Sequence, residues 1–168
     1  MDLLLRETPL QIARSEGQWR SVFQNSAISV ALTDLDGRFL TTNPVYQKMV
    51  GYSEEELREL TFRDITHAEY REANWALAEL LEGKRQQFQI EKQYRRKDGG
   101  LIWVRNNVSL IPATESTPQL IMALAEDITE RAKAEEPLRN SEERVRLILD
   151  STDEGIFWLR PPRYLPFL

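Results

Sequence analysis

Residues 87–111 read QFQIEKQYRRKDGGLIWVRNNVSLI, and this stretch decides the fold class. Phe88, Ile90 and Tyr94 recur at even spacing, which is the period of a β-strand with one buried face. The segment Lys97–Gly100 then supplies turn residues, and a second extended run follows them directly. The stretch therefore predicts a long antiparallel β-hairpin.

The segments on either side of this hairpin predict three more strands. Upstream, Ile28, Val30 and Leu32 alternate with smaller or polar residues, the period of a half-buried strand. The turn residues Asp34-Leu35-Asp36-Gly37 follow and lead into a partner strand ending at Thr42. Downstream, residues 119–126 predict a fifth strand.

Short helices are predicted between the two groups of strands. Asn43-Pro44 is a side-chain cap with proline at the first helical position, and Gly51 supplies a left-handed stop. Ser53 with Glu56 has the spacing of a capping box for a second short helix. A third short segment covers residues 61–65.

Longer helices are predicted in three places. Thr66 with Glu69 has the spacing of a capping box for a helix that ends at Gly83. Residues 1–26 predict a helix in two pieces, interrupted by proline and glycine. Asp127 with Glu130 predicts the start of an exit helix that Pro137 kinks or restarts.

The grouping of the strands predicts an α+β fold, an antiparallel sheet with helices on one face. The 168 residues contain 41% hydrophobic residues and no cysteine, which fits one well-cored domain of a reducing cytoplasm. A net charge of −5 disfavours nucleic acid as a partner. The sequence contains no apolar run of membrane-spanning length, so we expect no membrane segment.

Five motifs in order resemble the PAS family, in its sensory-box branch found upstream of bacterial histidine kinases and cyclic-di-GMP enzymes. They are Asp34-x-Asp36-Gly37, Asn43-Pro44, Gly51-Tyr52-Ser53-x-Glu55-Glu56-Leu57, Arg96-Lys97-Asp98-Gly99 with Trp103, and Asp127-Ile128-Thr129-Glu130. The resemblance implies a five-stranded sheet of order 2-1-5-4-3. It also implies a pocket on the concave face, holding a cofactor, a metabolite or nothing, and signalling through residues 127–129.

The sequence contains an internal repeat, which indicates where one domain ends and another begins. The pattern of residues 141–149 repeats that of residues 15–23 at an offset of 126 residues, so a second sensory domain starts here. We therefore expect an N-terminal helical segment at 1–26, a sensory domain at 27–127 and a linker helix at 128–150. Residues 151–168 are expected to be the poorly folded start of a second domain.

Strand alternation indicates which residues face the pocket. In the long strand it places Asn106 on the same face as Val104 and Val108. A buried amide without partners costs about 1–3 kcal/mol, so protein or ligand must satisfy it, and Asn106 is the best single ligand contact. The other expected lining residues are mainly apolar: Met49, Phe62, Ile65, Leu77, Ile90, Tyr94, Ile121, Ala123 and Ala125. A packed core without ligand remains an equal alternative.

The cofactor is unknown from the sequence. In the flavin-binding LOV relatives, three amides grip the flavin, and the resemblance aligns them with Tyr94, Val104 and Ala125. None of these is an amide and the reactive cysteine is absent, so LOV-type flavin is not expected. Haem-binding relatives take their iron ligand from a histidine within the long central helix. The single histidine, His67, lies instead at the first turn of the predicted helix, beside the capping Thr66, so haem is not expected either. We expect a small metabolite or no ligand.

Both faces of the fifth strand are apolar, so its outer face needs a cover. Leu120, Met122 and Leu124 have the opposite parity to the pocket residues. The N-terminal helix, through Trp19, Val22 and Phe23, is the expected cover. In the family that it resembles, such helices commonly form a homodimer.

The leading functional hypothesis is a cytoplasmic sensor that relays a signal through Asp127, Ile128 and Thr129 to a downstream effector domain. Asp127 is expected to cap the exit helix and to pair with Arg105. The alternative is a ligand-free module for dimerisation or docking. An enzyme is not expected, because neither a glycine-rich phosphate loop nor a Ser, His and acid set occurs. Kinase or cyclase activity would belong to another domain of a parent protein.

Overall fold

Five strands form one antiparallel sheet in the order β2-β1-β5-β4-β3. The computed structural model describes residues 8–70 and 75–150. The observed sheet confirms the predicted fold class and strand order. The strands are β1 (Ser29–Thr33), β2 (Phe39–Thr42), β3 (Gln87–Arg95), β4 (Leu101–Ile111) and β5 (Leu120–Asp127).

Short helices connect β2 to β3, and longer helices flank the sheet at both ends of the domain. The helices are α1 (Pro9–Asn25), α2 (Pro44–Val50), α3 (Glu54–Arg58), α4 (Phe62–Ile65), α5 (Trp75–Leu81) and α6 (Thr129–Asp150), with a 3-10 turn at Ala68–Tyr70. Helix α2 packs against β1, α3 against β2, and α5 against β3 and β4. Among the described residues, no helix has the length and apolar character needed to cross a membrane.

The register of the sheet fixes which side chains share its inner face. Asn106 of β4 lies opposite Ile90 of β3 and Ala125 of β5, and Ala125 lies opposite Ser29 of β1. Residues at even steps from these four project to the same side. This inner face is covered by α2–α5 and contains the core of the domain.

Strand β1 differs from its prediction because it is buried on both faces. All five residues from Ser29 to Thr33 are buried, whereas Ile28, expected in the strand, precedes it and is 56% exposed. The strand lies between β2 and β5, and α2 packs against it. A central position overrides the half-buried pattern that the alternation indicated.

From Pro9 to Asn25 the N-terminal helix is a single element, so the predicted interruption at Gly17 does not occur. Thr8 forms a capping box with Gln11, and Pro9 takes the first helical position, where its missing N–H costs nothing. Gly17 lies inside the helix with open space around it. A glycine there costs about 1 kcal/mol relative to alanine, too little to break the helix.

The predicted capping box of Thr66 and Glu69 does not form. The Thr66 hydroxyl donates to the Phe62 carbonyl at 2.7 Å, and Thr66 forms an isolated bridge with Tyr94. Thr66 therefore ends α4 and joins it to the edge of β3. The longer helix is described from Trp75, and Gly83 follows its end with positive φ as expected.

The caps of α2 and α3 are as predicted. Asn43 accepts from the Tyr46 N–H at 3.1 Å, Gly51 is left-handed, and Ser53 with Glu56 forms the capping box. Asn43 has a further role that its motif did not indicate. Its side chain accepts from the Val30 N–H at 2.9 Å and donates to the Ile28 carbonyl at 2.8 Å, which ties α2 to β1.

Gly37 ends the turn between β1 and β2, and only glycine fits there. Its φ is +88°, and a Cβ at this position would lie 2.3 Å from an atom of the Phe62 ring. The Asp34 carboxylate accepts from the N–H groups of Asp36 and Arg38, which closes the turn. The turn thereby holds Phe62 against the inner face of the sheet.

The exit helix begins at Thr129, and Asp127 does not form the predicted capping box with Glu130. The Asp127 carboxylate instead accepts from the Thr129 N–H at 2.9 Å and from the Thr129 hydroxyl at 2.5 Å. Pro137 lies inside α6, which is one continuous helix, so the predicted restart does not occur.

Three predictions reach outside the described residues. They concern residues 1–7 of the N-terminal helical segment, Ala73 in the predicted helix that ends at Gly83, and residues 151–168, expected to begin a second domain. On the described part of α5, Ala76 and Leu80 are buried, and Leu77 packs beside them.

Candidate functional site

A cavity of about 60 Å³ lies between the inner face of the sheet and the covering helices. A single water molecule needs about 10–15 Å³ of such space, so several waters or a molecule of a few non-hydrogen atoms would fit. Its walls are mostly apolar and aromatic. The lining residues are Ala31, Thr33, Phe39, Tyr46, Phe62, Tyr70, Leu77, Phe88, Ile90, Lys92, Tyr94, Asn106, Val108, Ile121 and Ala123.

Most of the residues expected to line the pocket do line this cavity. They are Phe62, Leu77, Ile90, Tyr94, Asn106, Val108, Ile121 and Ala123. They come from α4, α5 and three strands, and the sheet register brings them together.

The remaining expected lining residues are packed in the solid core. Val104, Ile65 and Ala125 are buried in a cluster centred on Tyr46 and Leu57, and Met49 packs against that cluster. These four residues are not among those that line the cavity. Alternation predicted the correct face for these residues but not the depth of the helices above it.

Several lining residues were missed, and Lys92 is the most informative of them. On β3 it shares the parity of Phe88, Ile90 and Tyr94, so alternation alone directs it inward. A lysine is rarely placed inside an apolar face, which explains the omission. The uninterrupted parity of β3 was the signal that could have identified it.

Asn106 has one satisfied and one unsatisfied end. It is 1% exposed, and its Oδ1 accepts from the Tyr94 hydroxyl at 2.9 Å. The hydroxyl of Tyr94 also interacts with that of Tyr46. The Nδ2 group of Asn106 has no hydrogen-bond partner among the described residues, and this orphan donor belongs to a lining residue of the cavity.

The two tyrosines remain neutral at physiological pH. Burial raises the pKa of Tyr46 well above its ordinary value and that of Tyr94 to about 12. Tyr94 therefore remains a hydrogen-bond donor and keeps Asn106 oriented with its Oδ1 toward the phenol. The amide N–H₂ is left free for another acceptor.

Lys92 brings a positive charge to the same cavity. Its Nζ lies 5.1 Å from the centre of the Phe62 ring and 5.4 Å from that of Tyr94, a cation–π arrangement. None of the described lining residues is acidic. Burial lowers the pKa of Lys92 to about 8, so the ammonium form still predominates at neutral pH.

On the outer face of the sheet, a buried carboxylate holds two arginines. Glu91 is 8% exposed and accepts from Arg105 of β4 at 2.9 Å and from Arg131 of α6 at 2.7 Å. Burial raises the pKa of Glu91, but the two arginines outweigh it and the pKa lies below its ordinary value. Glu91 thus connects the sheet to the exit helix.

Arg105 does not pair with Asp127, so that prediction was wrong. Its described partners are Glu91 and, at 3.5 Å, Glu126. The residues face different sides of the sheet, because Asp127 lies opposite Val104 and Arg105 lies opposite Glu126. Asp127 uses its carboxylate on Thr129, as described above.

The junction between β5 and α6 is bonded to the neighbouring strand β4. The Ile128 N–H donates to the Trp103 carbonyl at 2.9 Å, and the Trp103 N–H donates to the Thr129 hydroxyl at 3.0 Å. Ile128 is buried, so its side chain anchors the junction in the domain. The first turn of α6 is therefore fixed to the same strand that carries Asn106.

The residues expected to form a helix-packing or dimer face differ in exposure. Phe23 is buried, whereas Trp19 is 51% and Val22 is 65% exposed. Leu120, Met122 and Leu124 on the outer face of β5 are partly buried.

His67 does not line the cavity. It lies between α4 and the 3-10 turn, not in the first turn of a long helix, and its main-chain N–H donates to the Gln93 carbonyl at 2.9 Å. Within residues 8–70 and 75–150, no group of three or more His, Cys, Asp or Glu side chains has an arrangement that could hold a metal ion.

Comparison with known proteins identifies a family and two similar proteins. The PAS fold family matches residues 39–125. The chain is 32% identical to the sensor histidine kinase TmoS of Ectopseudomonas mendocina over 91% of its length, and 34% identical to the probable diguanylate cyclase DgcE of Escherichia coli K12 over 87%. It spans only 16% and 13% of those two proteins.

A solved structure agrees with the fold. A domain of the sensory box sensor histidine kinase/response regulator from Geobacter sulfurreducens superposes with a TM-score of 0.57 at 19% identity. The match covers 69% of this chain and 96% of that domain.

Proposed function

The chain belongs to the PAS fold family, and from that premise we propose that residues 27–127 are a sensory domain controlling an output domain elsewhere in a parent protein. The cavity receives a small ligand, and the exit helix carries the resulting movement away. The domain itself is not catalytic in this proposal. The output activity would be that of a histidine kinase or a diguanylate cyclase, as the names of the two relatives suggest.

The observation that carries the proposal is the alternation of cavity and clamp residues along two strands. On β3, Lys92 lines the cavity while its neighbour Glu91 contacts Arg131 of α6. On β4, Asn106 lines the cavity while its neighbour Arg105 contacts Glu91. A ligand that moves the inner side chains therefore moves the backbone that positions this clamp of Glu91, Arg105 and Arg131.

The exit helix is attached to the sheet at two places. Its first turn is bonded to β4 through Ile128 and Thr129, and its second contact with the sheet is the Arg131–Glu91 pair. A small shift of β3 relative to β4 loosens the pair without breaking the junction. A sensor needs such a two-state element, biased by its ligand.

A second candidate function is a ligand-free module for dimerisation or docking. It is favoured by the exposed Trp19 and Val22 on α1 and by the apolar outer face of β5. Homodimerisation through this surface is compatible with sensing, and the two functions differ in whether the cavity is filled.

Native mass spectrometry and an absorption spectrum of the protein as purified test the proposal. A bound mass, or a visible absorption band, supports sensing by a ligand of the cavity. A bare chain that forms a stable dimer, and that binds nothing when titrated with small metabolites, supports the docking module instead.

A further inference from the structure

The cavity combines three features that define the chemistry of a ligand: a cation, an orphan donor and an apolar wall. The cation is Lys92, which no acidic lining residue neutralises among the described residues. The orphan donor is Nδ2 of Asn106, which is buried and lacks a partner. Both groups are complementary to negative charge and to an oxygen acceptor.

The sheet register places the two groups next to each other. Ile90 pairs with Asn106 and Lys92 pairs with Val104, so Lys92 and Asn106 are diagonal neighbours on the inner face. Diagonal positions of this kind lie about 7–8 Å apart, and closer between their side chains. A carboxylate accepting a charge-assisted hydrogen bond of about 2.8 Å from each group spans that gap.

The aromatic rings hold the ammonium without neutralising it. Phe62 and Tyr94 contact Lys92 through their ring faces, which offer no lone pair for its N–H donors. The remaining cost of the enclosed charge is relieved by an anion at hydrogen-bond distance. The same rings, with Val108 and Ile121, form an apolar wall for the rest of a ligand.

The size of the cavity limits the ligand further. An engineered cavity of about 150 Å³ in another protein binds benzene, and the present cavity of about 60 Å³ is well below that size. An aromatic acid would need the covering helices to move. A short aliphatic chain fits the existing space.

We propose that the cavity binds a small aliphatic carboxylate of about two to four carbon atoms, with its carboxylate on Lys92 and Asn106 and its alkyl part against the apolar wall. This inference rests on the proposed sensory function and specifies the class of its ligand. The group recognised is the carboxylate itself, so acetate, propionate and butyrate share it.

Propionate and its neutral isostere propionamide provide the test. Methyl-labelled protein is titrated with each compound at constant ionic strength, and the methyl resonances of Ile90, Ile121 and Val108 report occupancy of the cavity. We expect propionate to bind at least tenfold more tightly than propionamide. Equal affinities for the two compounds, or no methyl shift with acetate, propionate or butyrate, overturn the proposal.

Variants separate the carboxylate contact from general effects. Lys92→Met removes the charge and keeps the length of the side chain, and it should weaken propionate binding at least tenfold while leaving propionamide unchanged. Lys48→Met removes an exposed lysine from α2 and should change neither. Unaltered propionate binding in Lys92→Met refutes the contact, and Lys92→Gln serves if the methionine variant does not fold.

The outcomes distinguish this inference from the function beneath it. If a neutral compound shifts the methyl resonances of the cavity and propionate does not, the sensory function stands and the proposed carboxylate ligand is refuted. If propionate binds in the cavity but hydrogen exchange in α6 does not change, the ligand class stands. The relay of a signal to the exit helix is then refuted.

Discussion

The contact between Glu91 and Arg131 should contribute measurably to the stability of the domain, because it joins a buried carboxylate to the exit helix. Glu91 is 8% exposed, Arg131 is 42% exposed, and their atoms are 2.7 Å apart. Fully exposed ion pairs contribute about 0.2–1 kcal/mol, and hydrogen bonds to charged groups about 1.5–3 kcal/mol. For this half-buried pair we expect a coupling free energy of about 1–2 kcal/mol.

A double-mutant cycle measures that coupling. Glu91→Gln, Arg131→Met and the double variant are unfolded in urea, and the free energies are combined so that effects outside the pair cancel. Lys133→Met with Glu130→Gln is the control cycle, because that pair lies on the same helix, is exposed and is 4.0 Å apart. We expect less than about 0.5 kcal/mol there.

The result that refutes this reasoning is a coupling between Glu91 and Arg131 no larger than that of the control pair. The clamp would then be a surface contact without influence on the helix. The same variants also report on the relay through hydrogen exchange. Loss of either partner should speed exchange of the amides of residues 131–135, because the helix loses its second contact with the sheet.

Four further predictions concern the cavity and the elements around it. Since burial lowers the pKa of Lys92 to about 8, unfolding in urea should require more free energy as pH rises from 8 toward 10.5, because the unfolded lysine keeps a proton that the folded one has lost. The full pKa shift corresponds to a change of about 3 kcal/mol in the free energy of unfolding, and we expect about 1–2 kcal/mol because the side chain is partly exposed. A free energy of unfolding that does not change with pH, and that Lys92→Met does not alter, contradicts this prediction. Propionate affinity should fall as pH rises above 8, as measured by the methyl titration, because Lys92 loses its charge while burial keeps Tyr46 and Tyr94 neutral. Asp127→Ala should destabilise the domain by only about 1 kcal/mol while abolishing ligand control of output in a parent protein, and a parent that still switches normally rules out this role. Met122→Glu should weaken dimerisation or detach α1, and unchanged sedimentation together with unchanged Trp19 fluorescence argues against that surface.

The sequence predicted those parts of the fold that depend on local chemistry. The caps at Asn43 and Ser53 and the left-handed glycine at Gly51 each involve neighbours within a few residues, and all formed as expected. Alternation along β4 also assigned Asn106 to the inner face correctly. Local patterns were sufficient at Asn43 because its additional bond from Val30 leaves the cap bond from Tyr46 in place.

Errors occurred where the surrounding fold overrides a local motif. Thr66 has the spacing of a cap, yet it bonds back to Phe62 and pairs with Tyr94 across the domain. The outer-face role of Glu91 depends on Arg131, forty residues away in sequence. Periodicity indicates the face on which a residue lies, but not which partner from another element meets it there.

Lys92 shows the limit of composition as a guide. Its parity is unambiguous, but lysine is so seldom enclosed that an apolar strand is naturally assigned without it. Because enclosed lysines are rare, the position of Lys92 in the cavity is informative about the ligand. Partly enclosed charges without acidic neighbours are costly, and a ligand is one way to offset that cost.

The most direct test of the account asks whether filling the cavity changes the exit helix. Leu77→Phe on α5 adds a ring to the cavity, whereas Leu81→Phe alters the same helix at a position that is 40% exposed. Hydrogen exchange of residues 131–135 is then compared in the two variants and the parent sequence. The account predicts at least a fivefold change in Leu77→Phe and none in Leu81→Phe. Identical exchange in all three proteins would show that the cavity and the exit helix are not coupled.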